Sequence, residues 1–553
     1  MPVNEISKPT GIDQGASSPA ASDQIGVITA VSGMRLTCRL GFEGGPPATE
    51  IFARASVGAL VKVPTPGSVA YGFISSQKII GGARALMPES EAIAEIDLLG
   101  EALITNGQIE PMFMRGISIF PRLAAPIFLA APDDLARIYA RPNSPPMTIG
   151  TLYQDRNLPA YLMSQEFLCK HSAILGTTGS GKSCAVTLIL SSLLAAHPNG
   201  HIVVLDPHNE YGAAFGKSAE YITTNSLQLP YWLLTFEEIV EVLCSRDPAS
   251  RSREAAILKE AVVSARREFS GQESDDIETT VDTPVPYRLP VLIQRINEAM
   301  GKLDRPDNTL PYLRLLTTID NLRKDRRYAF MFGGIAAARD NMREILARIL
   351  RIPVAGKPIT IMDLSAVPSE ITNVVVSLLC RLVFDFALWS LREEQIPTLL
   401  VCEEAHRYIP RDQGAGFEPT RRAISRIAQE GRKYGVSLCL VTQRPSEVSE
   451  SILSQCSTVF ALRMNTEKDQ EYVRRTLPDD AGGLLKALPA LRQQEAIVVG
   501  EGVTHPMRLR FLDLPAAQRP RGDSSNFPKA WQNDIEGDRF LTGVVDRWRR
   551  QVR

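Results

Sequence analysis

None of the eight cysteines forms a CxxC pair, and none stands at ligand spacing from the six histidines. The usual sequence marks of a zinc site are therefore missing. Most of these cysteines lie inside apolar runs, such as Leu399-Leu400-Val401-Cys402 and Leu438-Cys439-Leu440, and read as buried free thiols in a reducing compartment. An excess of charge of either sign is also lacking: 61 Lys and Arg face 62 Asp and Glu. A chain that coats nucleic acid is normally basic throughout, so any contact with a polyanion must be local, on a loop or a channel lining. No apolar stretch reaches the ~18 uncharged residues that a membrane-crossing helix needs. The first residues carry neither the basic nor the apolar segment of a signal peptide, so a cytoplasmic protein without membrane contact is expected.

At 553 residues, 44% of them hydrophobic, the chain is long enough for several globular domains. Residues 1–23 are rich in Ser, Pro, Ala and Gly and read as a disordered leader. From Gln24 short alternating runs such as Leu60–Val63 and Val69–Ile74 are separated by Gly/Pro turns, which predicts a small β-barrel over 24–150. The segment Arg141-Pro142-Asn143-Ser144-Pro145-Pro146 reads as a linker. Over 151–514 apolar strands alternate with helical stretches, the pattern of a mostly parallel α/β sheet. Its strand candidates are Ser172–Leu175, Ile202–Leu205, Ile359–Met362, Leu399–Cys402, Ser437–Val441, Thr458–Leu462 and Ala496–Val499. An interruption at about 236–350 has helical texture, with an acidic loop at Glu273–Asp282. Residues 515–553 form a tail.

The strongest chemical signal is Gly176-Thr177-Thr178-Gly179-Ser180-Gly181-Lys182-Ser183, a complete G-x-x-x-x-G-K-S phosphate loop between a strand and an apolar helix. Glycines let successive amides curl around phosphate oxygens, and the helix N-terminus adds its positive dipole end. Lys182 neutralises β/γ-phosphate charge, and the Ser183 hydroxyl is the Mg²⁺ ligand of such loops. ATP and Mg²⁺ are the expected cofactors.

A nucleotide hydrolase of this kind needs acids at the tip of a neighbouring strand. Thr398–Cys402 is followed by Glu403 and Glu404, placed to hold the Mg²⁺ shell and to take a proton from the attacking water, respectively. Ile202–Leu205 also ends on an acid, Asp206, and remains the alternative. Gln443, at the end of the run Val436–Thr442, is the candidate γ-phosphate sensor. The basic helix Arg421–Lys433 reads either as a solvated face or as a source of arginine to a neighbouring site.

The set LCKHSAILGTTGSGKS, LDPHNEYG, LLVCEEAHRYIP, ISRIAQEGRKYGVSLCLVTQRP and LRMNTEKDQEYV resembles the HerA family, within the HerA/FtsK branch of RecA-like P-loop motors. The resemblance spans about Lys170 to Val473, and the region of short strands fits the barrel that precedes the motor in that family. It implies a RecA-like core with a helical insertion, a homo-hexameric ring with ATP at subunit interfaces, and double-stranded DNA in the central channel. It assigns Lys182 and Ser183 to ATP and Mg²⁺, Glu403 and Glu404 to metal and water, and Gln443 to sensing. A finger in trans is placed on Arg432 or Arg426, and Arg411–Pro419 is the candidate channel loop. HerA-like motors work with a separate effector on the barrel side. It is a NurA-like nuclease in DNA-end processing, or a nuclease or NADase in anti-phage defence. The alternative is an ATPase ring acting mainly as a scaffold that assembles and gates such an effector.

Overall fold

The computed structural model describes residues 23–550 apart from 43–44, 46–47, 80–91, 271–278, 303–308, 334–338, 413–415, 478–481, 521–530 and 533–536. Residues 1–22 of the expected leader and most of the acidic loop lie outside these residues. The chain divides into two compact units, residues 1–163 with 463–511, and residues 164–462 with 512–553.

The first unit opens with seven antiparallel strands: β1 (Gln24–Ser32), β2 (Arg35–Leu40), β3 (Leu60–Thr65), β4 (Ser68–Ile79), β5 (Ala92–Thr105), β6 (Gln108–Arg115) and β7 (Pro126–Leu129). Their order is β2-β1-β7-β3-β4-β5-β6, and pairing of β2 with β5 closes the first six into a barrel. Alternation dictates the interior: Ile25, Ile28, Leu36, Cys38, Val61, Val63, Ala94 and Ile96 point inward and are buried. At Gly100 the strands come so close that a Cβ would lie 2.1 Å from the Met114 carbonyl oxygen, so only glycine fits.

A polar cluster centred on Asp134 is buried here. Asp134 accepts from Lys62 Nζ at 2.8 Å, the Ala131 amide at 2.8 Å, Tyr71 OH at 2.8 Å and Arg137 Nη1 at 3.0 Å. Burial alone would raise its pKa, but these donors hold it below the ordinary value. The hairpin β8 (Pro146–Leu152) and β9 (Pro159–Met163) follows, and β8 pairs antiparallel with β18 (Met507–Phe511), itself paired with β17 (Glu495–Gly500). Residues 151–163 and 463–511 therefore group with the barrel's unit.

The second unit is built on parallel strands: β10 (His171–Leu175), β11 (Ile202–Asp206), β12 (Ala219–Ile222), β13 (Ile359–Asp363), β14 (Thr398–Cys402), β15 (Val436–Thr442) and β16 (Cys456–Leu462). They stand in the order β12-β13-β11-β14-β15-β10-β16. All residues of β10, β11, β13, β14 and β15 are buried, which is why these strands read as unbroken apolar runs. The edge strand β12 escaped sequence reading because it is four residues long and half polar. Its Glu220 is held by Arg348 and Lys357, each at 2.9 Å.

Between β12 and β13 the described elements are helical, with long helices at Pro248–Ser270, Leu289–Gly301 and Leu310–Lys324. The helix Ser369–Trp389 is long and apolar enough to cross a membrane, but 67% of that span is buried inside the protein. The tail carries an amphipathic helix, Asp538–Arg550. Topology places the ends of β10, β11, β14 and β15 side by side, and open α/β sheets bind ligands at that edge.

Candidate nucleotide-binding site

Strand β10 runs between β15 and β16, so the loop after it emerges at the middle of the sheet edge. The loop is tied down by the Gly176 amide on the Thr442 carbonyl at 3.3 Å and the Ser180 amide on the Thr177 carbonyl at 3.1 Å. Gly179 and Gly181 have φ of +74° and +103°, which side-chain-bearing residues rarely adopt. A Cβ at Gly179 would meet nothing within 4 Å, so here glycine serves the backbone conformation rather than crowding. The helix Lys182–Ala196 starts at Gly181 without a side-chain cap, leaving its first amides available to an anion. Lys182 Nζ lies 3.3 Å from the Thr177 carbonyl. Burial lowers its pKa, while Glu403, Glu404 and Glu210 pull the other way.

Both acids after β14 are buried, Glu403 at 6% and Glu404 at 9% exposure. Glu404 turns the chain with φ of +53°. Glu403 accepts from Tyr211 OH and, at 3.3 Å, from the Glu404 amide. Burial, reinforced by Glu210 and Glu404, pushes its pKa up to about 8. A buried acid that resists ionisation, with one hydrogen bond on each oxygen and lone pairs still open, suits a divalent cation, whose charge replaces the proton. Glu404 Oε1 accepts from Gln443 Nε2 at 3.1 Å and lies 3.6 Å from His208 Nε2. Its Oε2 lies 3.2 Å from His406 Nδ1. Gln443 Oε1 in turn accepts from Thr178 Oγ1, so one amide side chain links the phosphate loop to Glu404.

Asp206 is differently employed. Its oxygens accept from the amides of His208 at 3.2 Å, Glu210 at 3.2 Å and Tyr211 at 3.0 Å. It staples the turn that delivers Tyr211 to Glu403.

The basic helix is now resolved residue by residue. Over Glu418–Glu430, Arg422 pairs with Glu237 at 2.9 Å, and Arg426 covers the Phe384 ring at 4.7 Å with Glu430 at 3.8 Å. Arg432, on the 3₁₀ turn that follows, is exposed and makes no ion pair among the described residues. The channel-loop candidate begins with the Arg411 amide on the Glu447 carbonyl at 2.7 Å; residues 413–415 lie outside the described set.

The structure thus brings Lys182, Glu403, Glu404 and Gln443 together, and leaves Arg432 and Arg426 away from these contacts. Sequence reasoning missed Tyr211, His208, Thr442 and His406. All four lie within or beside the segments LDPHNEYG, CEEAH and LVTQRP, whose unassigned polar residues were the available signal.

Residues 147–383 match the family model for the central domain of helicase HerA (DUF87), a span that includes the phosphate loop and ends before β14. The chain is 26% identical over 462 residues to the DNA double-strand break repair helicase HerA of Pyrococcus furiosus, covering 77% of this chain and 78% of that one. It is 24% identical to the Saccharolobus solfataricus protein of the same name, covering 77% and 79%. Among solved structures, VirB4 of Thermoanaerobacter pseudethanolicus superposes with a TM-score of 0.48 at 17% identity, over 68% of this chain and 98% of that one. The chain is a P-loop ATPase, and its central domain is similar to that of the HerA helicases.

Proposed function

We propose that the protein is an ATP-driven DNA translocase of the helicase type, working as a homo-hexameric ring around double-stranded DNA. The observation that carries the catalytic part is the convergence of Lys182, Glu403, Glu404 and Gln443 at one sheet edge, joined by the Thr178–Gln443–Glu404 hydrogen bonds. Ser183 and Glu403 are the residues that would hold Mg²⁺, which supplies charge neutralisation between phosphate oxygens. Lys182 and the loop amides bind the phosphates. Glu404, buried at 9% exposure, accepts the proton of the attacking water. Gln443 reports the state of the loop to that base. Arg432, which makes no ion pair among the described residues, reaches the neighbouring subunit's site.

The DNA part rests on the family match and the relatives named above. In a six-fold ring each pore cation is repeated, so a chain of net charge −1 can still line a positive channel. A separate effector, a nuclease or a NADase, docks on the barrel. There β6 pairs with β5 and exposes Met112 and Met114.

ATP turnover with and without linear double-stranded DNA, over a salt series, tests this reading. DNA should stimulate turnover, and the stimulation should fall steeply with salt. Turnover indifferent to DNA would favour the scaffold reading instead. Lys182→Ala should abolish nucleotide binding measured by calorimetry, and affinity within about tenfold of the parent would remove the phosphate-loop assignment.

A further inference from the structure

His406 is half-buried and two residues beyond the candidate base. Its Nδ1 stands 3.1 Å from Thr442 Oγ1 and 3.2 Å from Glu404 Oε2. The Arg444 amide donates to the same Thr442 oxygen at 3.0 Å, fixing that hydroxyl at the end of β15. Glu404 Oε1 is occupied by Gln443, whereas Oε2 is buried and makes no hydrogen bond among the described residues. In the geometry observed the imidazole directs its bond to Thr442, and the second carboxylate oxygen is the one unfilled acceptor of the base. A lone pair on Nδ1 facing a carboxylate oxygen would be repulsive, so Glu404 selects the tautomer with hydrogen on Nδ1. A small rotation of the ring then shares that Nδ1–H between Thr442 Oγ1 and Glu404 Oε2, which lie 3.1 and 3.2 Å from the nitrogen.

We propose that His406 is a positioning residue for the hydrolytic base: anchored by Thr442, it presents Nδ1–H to Glu404 Oε2 and fixes the carboxylate while Gln443 holds Oε1. The proposal rests on Glu404 being the base. Gripped at both oxygens, the carboxylate keeps one orientation toward the phosphate loop. Gripped at Oε1 alone, it is free to swing about that bond. Among the described residues His406 makes no hydrogen bond or ion pair to the loop or to Lys182, so its loss acts on turnover and spares binding.

The test uses the full-length protein, with steady-state ATP turnover and calorimetric affinity for a non-hydrolysable ATP analogue. His406→Ala should lower kcat by about tenfold to a hundredfold, the scale of an ångström-sized misplacement of a catalytic group, and leave analogue affinity within about twofold. His406→Asn should recover most of the lost rate, because its amide nitrogen sits close to the position of Nδ1. His406→Gln, whose amide reaches past that position, should not. If the alanine variant fails to fold, the contrast of Asn with Gln carries the test. A kcat unchanged in His406→Ala, or equal losses in the Asn and Gln variants, overturns the proposal. Glu404→Gln is measured alongside. If it turns over ATP normally, the base assignment itself has failed; if it is inactive while His406→Ala is not, only the role of His406 has.

Discussion

Strands β11 and β14 lie side by side, paired in register from Ile202 opposite Leu399 to Leu205 opposite Cys402; β11 ends on Asp206, and β14 is followed at once by Glu403 and Glu404. In composition they are near twins, yet their carboxylates are spent differently. Asp206 gives its oxygens to three backbone amides and shapes a turn. Glu403 and Glu404 receive a tyrosine hydroxyl, one backbone amide and one side-chain amide between them, and are left buried with acceptor capacity unfilled. Burial raises the pKa of both Asp206 and Glu403; at Asp206 three backbone amides oppose the rise and Asp363 adds to it, while at Glu403 the Tyr211 hydroxyl and Lys182 oppose it and Glu210 and Glu404 add to it. The lesson is a criterion. A buried charge whose bonds are filled inside the chain is structural, and one left short is waiting for a ligand.

The largest effect expected applies the same criterion to arginines. Arg426 is satisfied within its own chain by Phe384 and Glu430, while Arg432 has no ion pair among the described residues. Arg432→Ala should therefore keep nucleotide affinity and lose turnover by ~10³-fold or more, the usual worth of an arginine that stabilises charge during transfer. Arg426→Ala should cost far less. Mixing Arg432→Ala with Glu404→Gln under conditions of subunit exchange should restore part of the activity, because some interfaces then pair an intact Arg432 with an intact Glu404. If exchange is confirmed and no activity returns, Arg432 does not act in trans and the criterion fails for arginines.

At the paired strand ends the expected effect is somewhat smaller and opposite in kind. Glu404→Gln should bind nucleotide normally and lose turnover by ~10²–10⁴-fold, since the amide cannot accept a proton. Asp206→Asn should instead lower thermal stability. Its amide group turns one acceptor into a donor facing backbone N–H, a cost of about 1–3 kcal/mol. Turnover measured well below the melting point should survive in that variant. The reverse outcome, with Asp206→Asn dead and Glu404→Gln active, would exchange the roles of β11 and β14.

Much of this was legible in the chain, for physical reasons that can be named. Strands β10, β11, β13, β14 and β15 are buried along their whole length, so their apolar runs stand out. The phosphate loop was readable because its glycines and Lys182 serve a local backbone geometry. What sequence could not decide depended on partners far along the chain. Asp206 is explained by the turn after it, and Tyr211 by a carboxylate 192 residues away. His406 is explained by Thr442, on the next strand. Strand β12 was missed because an edge strand with Glu220 and Tyr221 carries no apolar signature. The grouping of residues 463–511 with the barrel's unit follows from the β8–β18 pairing, which no local pattern announces.

The smallest effect expected is also the most direct measure of the unfilled acid. In the folded chain the Glu403 pKa is raised from 4.5 to about 8, with burial as the first cause. The native state therefore holds a proton that the unfolded state releases over that window. The contribution of this group to stability is complete below 4.5 and is lost as pH rises through 8. The slope is at most ~1.4 kcal/mol per pH unit for one proton. Glu403→Gln mimics the protonated acid and carries no such dependence. Melting temperatures of nucleotide-free parent and variant, measured across that window, should diverge as pH rises, with the parent falling relative to the variant. Adding Mg²⁺ and nucleotide to the parent should narrow the gap, because a cation beside Glu403 stabilises the ionised form. Asp206→Asn should lower the curve at every pH without reproducing this divergence. Parallel curves for parent and Glu403→Gln would mean that Glu403 is ionised and solvated like an ordinary surface acid, and the contrast between the two strand ends would then rest on hydrogen bonds alone.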